Sequence, residues 1–319
     1  MLRRVPGILL PMRETSDDAV AARRRCTRQA VAGTVVWIGW IAATGFRPAE
    51  AMLILSPLVL FPLVLRLAQP AGATPDRWWT LASWLHLPGS VALVASFAIE
   101  RGPGSFALTV PWLVTTGVTA LVGVRRISRR GRLDAVELGM DAGLIFLIVG
   151  AAWVGAFQLM LQPLGFSEII VLLTGEHFHY AGFILPVLAT LLARELGGRW
   201  SWAVVGVVVS VPLTAIGITA SPVVEVIAAL VVAGSGLAIA VGQLLVARRA
   251  RSAAAVLLGV SAMALAWAMV LAAMYAVGEF RGLPWPPIGD MIEMHGTANA
   301  LGTALAGLWG WTAHLQDSP

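Results

Sequence analysis

The feature that most constrains this chain is a succession of apolar runs, each close to the length that a helix needs to cross a bilayer. A membrane span needs about 20 predominantly apolar residues. Because lipid cannot satisfy exposed backbone groups, such a chain folds as a helical bundle. The sequence therefore predicts an all-α, polytopic integral membrane protein with about ten transmembrane helices, at 31–47, 50–66, 78–99, 105–124, 139–160, 167–193, 200–220, 222–246, 253–277 and 288–312.

The basic residues indicate how these helices are oriented. All 22 are arginine, and all but Arg47, Arg101 and Arg281 fall on one side of the membrane if both termini lie on that side. Basic residues concentrate in cytoplasmic loops. We therefore expect a basic cytoplasmic tail at 1–30, a transmembrane helical domain at 31–312 and a cytoplasmic tail at 313–319. The location would be the cell membrane, as a multi-pass protein of the bacterial inner membrane.

Composition excludes several other classes of protein. Only 12% of the residues are charged, whereas a soluble domain carries about 25%. The arginines form short clusters between apolar runs, which is typical of topology signals, so the expected partner is the lipid bilayer and no nucleic acid. A single cysteine, Cys26, excludes an internal disulfide framework and any site built from several thiolates.

Two polar clusters interrupt the sixth and tenth predicted spans. Their members are Glu176, His177, His179 and Tyr180 in the sixth, and Asp290, Glu293, His295 and Asn299 in the tenth. At about 1.5 Å of rise per residue, most of them lie well inside the membrane. Because residues three and four apart share a helical face, Glu176, His179 and Tyr180 point one way, and His177 points about 100° away.

These clusters have a structural and a functional interpretation. Polar side chains join membrane helices by hydrogen bonds, each worth only about 0.6 kcal/mol. A charged group at the membrane centre costs about 2.5–3.5 kcal/mol and usually marks a function. Several such groups at matching depth favour a functional site, formed by Glu176, His177, His179, Glu293, His295 and Asn299.

Two motifs carry a resemblance to a known family. The run His177–Phe183 (HFHYAGF), followed by Pro186, resembles the signature of the YndJ-like family of bacterial membrane proteins. The stretch HGxxNAxG at 295–302 is similar to that family's second motif. This resemblance implies a transporter-like membrane protein. More weakly, the chain is similar to actinobacterial membrane-bound terpene cyclases that act on prenylated indoles and related meroterpenoids.

The expected function is an integral membrane enzyme of this cyclase kind, which would cyclise a lipophilic isoprenoid by first protonating an epoxide or alkene. The chain contains no Asp-Asp-x-x-Asp motif, so we expect the reaction to be independent of metal. Such chemistry needs an acid, a dry cavity and aromatic faces that stabilise cations. Glu176 or Glu293 would be the acid, and His177, His179 or His295 would hold it or collect the final proton. The substrate would be bound by Tyr180, Trp153, Trp267, Asn299 and Asp290, and deep tryptophans would either pack or form an aromatic wall.

Two alternatives remain open at this stage. A proton-coupled transporter would use the same carboxyl groups and imidazoles as a relay. A membrane metalloenzyme would hold zinc or haem at His177, His179 and His295. The run HFHY at 177–180 is also similar to the haem-ligating stretch of haem–copper oxidases, although the further histidine pairs of that family are missing. Because the His-x-His spacing sends the two rings to different helical faces, one shared metal would require local distortion.

Overall fold

The computed structural model describes residues 17–69, 76–283 and 285–317, and this part of the chain forms ten long helices and no β-strand. We number them α1 (Asp17–Thr44), α2 (Pro48–Ala68), α3 (Arg77–Ser96), α4 (Pro103–Arg130), α5 (Leu138–Gln158), α6 (Glu168–Leu196), α7 (Ser201–Ala220), α8 (Pro222–Ala247), α9 (Ser252–Phe280) and α10 (288–317). Each helix overlaps one predicted span, which confirms the all-α class. Among them, seven are long and apolar enough to cross a membrane, namely all but α1, α3 and α10. The number of crossings and the side of the termini stay predictions.

The predicted tails are partly helical. α1 begins at Asp17, inside the segment 1–30 that we predicted as a tail. α10 continues to Asp317, inside the segment 313–319. Residues 1–16 and 318–319 of these tails lie outside the described residues. Helical structure therefore continues into both predicted tails, because a helix can extend past the apolar part of its sequence, and the division into tails and a transmembrane domain stays a prediction.

α2 is the central helix of the bundle. Every residue from 51 to 65 is buried, and the helix packs against α1, α3, α6 and α10. Its middle turn, Ser56–Leu60, is π-helical. The Pro57 carbonyl there accepts hydrogen bonds from His86 Nε2 at 2.7 Å and from Ser90 Oγ at 3.1 Å. This burial places α2 inside the bundle, where it supplies the wall behind the candidate site.

α1 runs antiparallel to α2 at very close range. Gly33 packs against the backbone of Leu58, where an added β-carbon would lie 1.9 Å from the carbonyl oxygen. Trp37 Nε1 donates to the Ala51 carbonyl at 2.7 Å. The contact thus depends on a glycine and ties α1 along the length of α2.

An ionic network joins α4, α5 and α6 at one end of the bundle. Arg126 donates to Asp141 and to Glu137, both at 2.7 Å, and Arg130 also pairs with Asp141. Arg194 reaches Glu137 at 2.6 Å and 2.7 Å. Burial alone would raise the pKa of Glu137, but the hydrogen bonds and charges of these arginines outweigh it, so the pKa is lowered. The network fixes the end of α6 opposite the candidate site.

The two helices that carry the polar motifs are irregular. α6 contains a π-helical turn at Tyr180–Ile184, where the Leu185 N–H donates to the Tyr180 carbonyl. Pro186 lies just beyond it and has no N–H to continue a regular ladder. α10 is π-helical over Met291–Gly296 and Ala298–Ala306. Such segments are common at functional sites.

Candidate functional site

Glu176 is buried where α6 meets α2 and α10. Its side chain is 6% exposed, and its Oε2 atom has no hydrogen-bond partner among the described residues. A β-carbon built at Gly296 would lie 2.8 Å from Met52 Cε and 3.8 Å from Glu176 Oε1. The absent side chain at Gly296 therefore lets α10 approach the carboxyl group.

His177 lies on an exposed part of α6 rather than in the packed interior. Its Nδ1–H donates to the Leu173 carbonyl at 2.8 Å, one turn earlier in α6. Nε2 makes no hydrogen bond in the described part of the chain, and the side chain is exposed. A neutral imidazole with a free Nε2 lone pair can accept a proton. His177 is thus the accessible base of this region.

His295 lies opposite His177 and is held in one neutral form. The two rings stack with centroids 6.4 Å apart and planes 21° apart. His295 Nδ1 donates to the Ala268 carbonyl of α9 at 2.9 Å, so its Nε2 must be the acceptor for Asn299 Nδ2 at 3.0 Å. Both ring nitrogens are therefore occupied, and Asn299 fixes the ring orientation.

α6 and α10 diverge toward their first residues. Their first halves, Glu168–His179 and Met291–Gly296, both lie against Pro48–Leu55 of α2. Their later parts pack directly on each other. Tyr180 closes the junction on the α2 side, since its hydroxyl donates to the Met52 carbonyl at 2.7 Å. The result is a wedge with α2 as its back wall and the two imidazoles on its sides.

Comparison with known proteins agrees with the two motifs that form this wedge. A family model described as YndJ-like protein matches residues 51–303. The chain belongs to the YndJ-like family. It is 30% identical over 300 residues to the uncharacterised membrane protein YndJ of Bacillus subtilis strain 168, covering 91% of this chain and 53% of that relative. This YndJ-like chain thus spans about half the length of its curated relative. No solved structure matches it.

The family result confirms the main resemblance and the membrane location. The relative is named a membrane protein, and the apolar helices of this YndJ-like chain indicate a multi-pass protein of the cell membrane. Both sequence motifs lie within the matched region, and the structure brings them together through His177 and His295. Neither match names a terpene cyclase or an oxidase, so those weaker resemblances gain no support.

His179 lies away from the wedge, in the packed interior of this YndJ-like protein. Its Nδ1 donates to the Gly175 carbonyl at 2.7 Å, and its Nε2 accepts from Trp112 Nε1 at 3.2 Å. The two rings also stack, with centroids 6.1 Å apart. The side chain is fully buried, and an added β-carbon at Gly150 of α5 would contact it at 2.7 Å. His179 thus joins α4, α5 and α6.

The alternative of a metal held by the three histidines gains no support from this geometry. His177 and His179 face different helices, and both nitrogens of His179 and of His295 already have partners. Within the described residues, no group of three or more His, Cys, Asp or Glu side chains is arranged to hold a metal ion. The residues present therefore do not fit zinc or haem shared by His177, His179 and His295.

The other predicted site residues are spread over the surface of the bundle. Trp153 stacks on Phe166 with centroids 6.1 Å apart, at the end of α5. Trp267 is 49% exposed on the outer face of α9. Asp290 and Glu293 are exposed on the first turns of α10. The structure therefore brings together Glu176, His177, Tyr180, His295 and Asn299, without an aromatic wall of these tryptophans.

Three contributors to the site were missed by sequence reasoning. Gly296 could have been noticed, because it directly follows His295 in the second motif. Met52 and the Ala268 carbonyl could not, since both act through long-range packing of apolar helices that carry no polar signal.

Proposed function

We propose that this YndJ-like protein is a proton-coupled membrane transporter in which Glu176 binds the proton. The observation that carries the proposal is the buried Oε2 atom of Glu176, which lacks a hydrogen-bond partner beside an exposed imidazole. A buried carboxylate without a partner is costly, and taking up a proton removes that cost. Proton binding would therefore be coupled to the packing of α2, α6 and α10.

The histidines have different roles in this proposal. His177 exchanges protons between the wedge and Glu176, because its Nε2 is free and accessible. His295 cannot accept a proton at Nε2 without losing the bond from Asn299. His295 therefore acts as a positioning residue, whose uncharged ring stacks on the His177 ring.

The irregular helices support movement at this place. In many transporters, substrate and ions bind near the membrane midplane, where helices are interrupted. Here the π-helical turn Tyr180–Ile184 overlaps the second half of the first motif, and the segment Met291–Gly296 contains His295. A change in the hydrogen-bond pattern of either segment would rotate the polar groups relative to α2.

The first test asks whether Glu176 carries a proton that titrates. The full-length protein is reconstituted in liposomes, and infrared difference spectra between acidic and alkaline buffer are recorded in the carboxyl C=O region. Glu176→Gln should remove one carboxyl band. Glu168→Gln is the matched control, since Glu168 lies on the same helix but is exposed and paired with Arg101 at 2.7 Å. If the Glu176→Gln spectrum keeps every carboxyl band of the wild type, the proton assignment is overturned.

The second test asks whether that proton is coupled to transport. Solute classes are added one at a time to liposomes that contain a pH-sensitive dye. We expect a proton signal for one class that disappears in Glu176→Gln and persists in Glu168→Gln. Proton movement that is the same in both variants would contradict the proposal.

The unpartnered carboxyl group also favours a second candidate, the acid-initiated cyclisation of a lipophilic isoprenoid. Glu176 would protonate an epoxide oxygen, the C–O bond would break, an alkene would attack the resulting cation, and His177 would collect a final proton. The exposure of His177 and the distant positions of Trp153 and Trp267 make this the weaker fit. Formation of an isomeric product from an epoxidised farnesyl indole, lost in Glu176→Gln, would replace transport as the function.

A further inference from the structure

A separate basic groove lies between α1 and α3, on the other side of these helices from the buried α2. It has a volume of about 740 Å³, and its polar lining is formed by Arg24, Arg25, Arg28 and Gln29. The helices run parallel here, because Arg25 lies beside Ser83 while Ala32 lies near Leu87. The arginines, next to Val20 and Ala21, thus form a basic end near the start of both helices, and an apolar end with Ala32 and Leu87 lies farther along.

Among the described residues, no carboxylate pairs with the arginines of the basic end. Arg24 and Arg28 are exposed and four residues apart on α1, and neither pairs with a carboxylate in the described part of the chain. Like charges at this spacing destabilise a helix. Arg25 lies 4.1 Å above the Trp84 ring and donates to Ser83 Oγ at 3.4 Å, which holds its guanidinium in the groove. An anion would relieve this repulsion.

The apolar end continues along the same helices as exposed aliphatic surface. Val31 and Val35 of α1 are 54% and 68% exposed, and Val91 of α3 is 44% exposed. A soluble anion such as phosphate would use only the arginines. A molecule with an anionic head and hydrocarbon chains would cover both ends, so the groove matches an amphiphile.

We propose that this groove binds one anionic phospholipid, with its phosphate at Arg24, Arg25 and Arg28 and its acyl chains along α1 and α3. The predicted orientation places the arginines at the cytoplasmic surface, where anionic lipids attract basic residues. Arginine forms bidentate hydrogen bonds with phosphate oxygens. The bound lipid would stabilise the packing of α1 on the bundle. This proposal does not depend on the function of Glu176.

The test compares two double variants that remove the same charge. Arg24→Gln/Arg28→Gln alters the groove, and Arg248→Gln/Arg249→Gln alters exposed arginines after α8. The full-length proteins are purified from membranes, and bound phosphatidylglycerol is counted by native mass spectrometry and titrated back. We expect the groove variant to lose one tightly bound lipid. Its affinity for phosphatidylglycerol should fall about 30-fold, because the attraction of two arginines to the anionic head group is removed. The control should retain wild-type binding.

Two results would overturn the proposal. Equal loss of lipid in both double variants would show that only the overall charge matters. Equal protection of the wild-type protein against heating by inorganic phosphate and by phosphatidylglycerol would assign the arginines to a soluble anion instead. Stabilisation by phosphatidylglycerol and not by phosphatidylcholine or phosphate, absent in the groove variant alone, would support a lipid site.

Discussion

His177 and His179 are separated by one residue and have opposite surroundings. His179 is fully buried and exchanges hydrogen bonds with Gly175 and Trp112, whereas His177 is exposed and has a free Nε2. The helical period alone places the two rings about 160° apart around the axis. One motif thus combines a packing residue and an accessible base, and substitutions at the two positions should have separate effects.

We predict that His179→Ala destabilises the protein and that His177→Ala does not. Removing His179 leaves a cavity and a buried Trp112 N–H without an acceptor, which costs about 2–4 kcal/mol of unfolding free energy. His177 is exposed, so its replacement should change that free energy by no more than about 0.5 kcal/mol. Thermal unfolding of the detergent-solubilised variants measures the difference. Equal losses in melting temperature would contradict these roles.

The residue-level prediction from sequence was partly successful for a physical reason. Period and depth identified Glu176, His177, Tyr180, His295 and Asn299, which the structure places around one wedge. Helical periodicity could not identify the hydrogen-bond and packing partners of these side chains. Trp112 and Met52 come from helices far away in sequence, and only three-dimensional packing brings them to α6.

At the scale of helices, the close approach of α1 and α2 gives a second prediction. Gly33→Ala should destabilise the protein, because the new β-carbon would lie 1.9 Å from the Leu58 carbonyl oxygen and force the backbones apart. We expect a loss of about 2–3 kcal/mol, typical of overpacking. Gly39→Ala, on the same helix, meets no atom within 4 Å and should add up to about 1 kcal/mol through helix propensity. Chemical unfolding would measure both, and a loss in both variants would refute the contact argument.

The number of helices followed from hydropathy, whereas their arrangement did not. Each apolar run forms one helix, because a run of that length satisfies its own backbone in lipid. Hydropathy measures composition and does not distinguish a helix that faces lipid from one that faces protein. α2 and α8 are similarly apolar. Nevertheless, 94% of an 18-residue apolar stretch of α2 is buried in the protein, against 33% of the corresponding stretch of α8. The π-helical turns also escaped prediction, since they depend on packing around Pro57 and Pro186.

At the scale of the whole molecule, the ionic network predicts a loss of stability in acid. The pKa of Glu137 is lowered from 4.5 in the folded protein. Its contribution is therefore fully present above pH 4.5 and is lost as the pH falls through the lower, folded value. Glu137→Gln should cost about 1–3 kcal/mol at neutral pH and weaken the acid dependence of the melting temperature. The control Glu100→Gln removes an exposed carboxylate, and an identical acid profile for wild type and Glu137→Gln would contradict the assignment.

The orientation of the whole bundle gives the last prediction. The arginine pattern places the loop after α8 in the cytoplasm and the loop between α9 and α10 outside. Cys26 is the single cysteine and is buried, so a Cys26→Ala background accepts new reporter thiols. In intact cells, a membrane-impermeant maleimide should label Leu283→Cys, which lies at a position 74% exposed, but not Arg249→Cys. Permeabilised cells should label both. The reverse labelling pattern would mean that the protein has the opposite orientation in the membrane. The wedge between α6 and α10 would then open to the cytoplasm, and the arginine groove of α1 would lie at the outer surface.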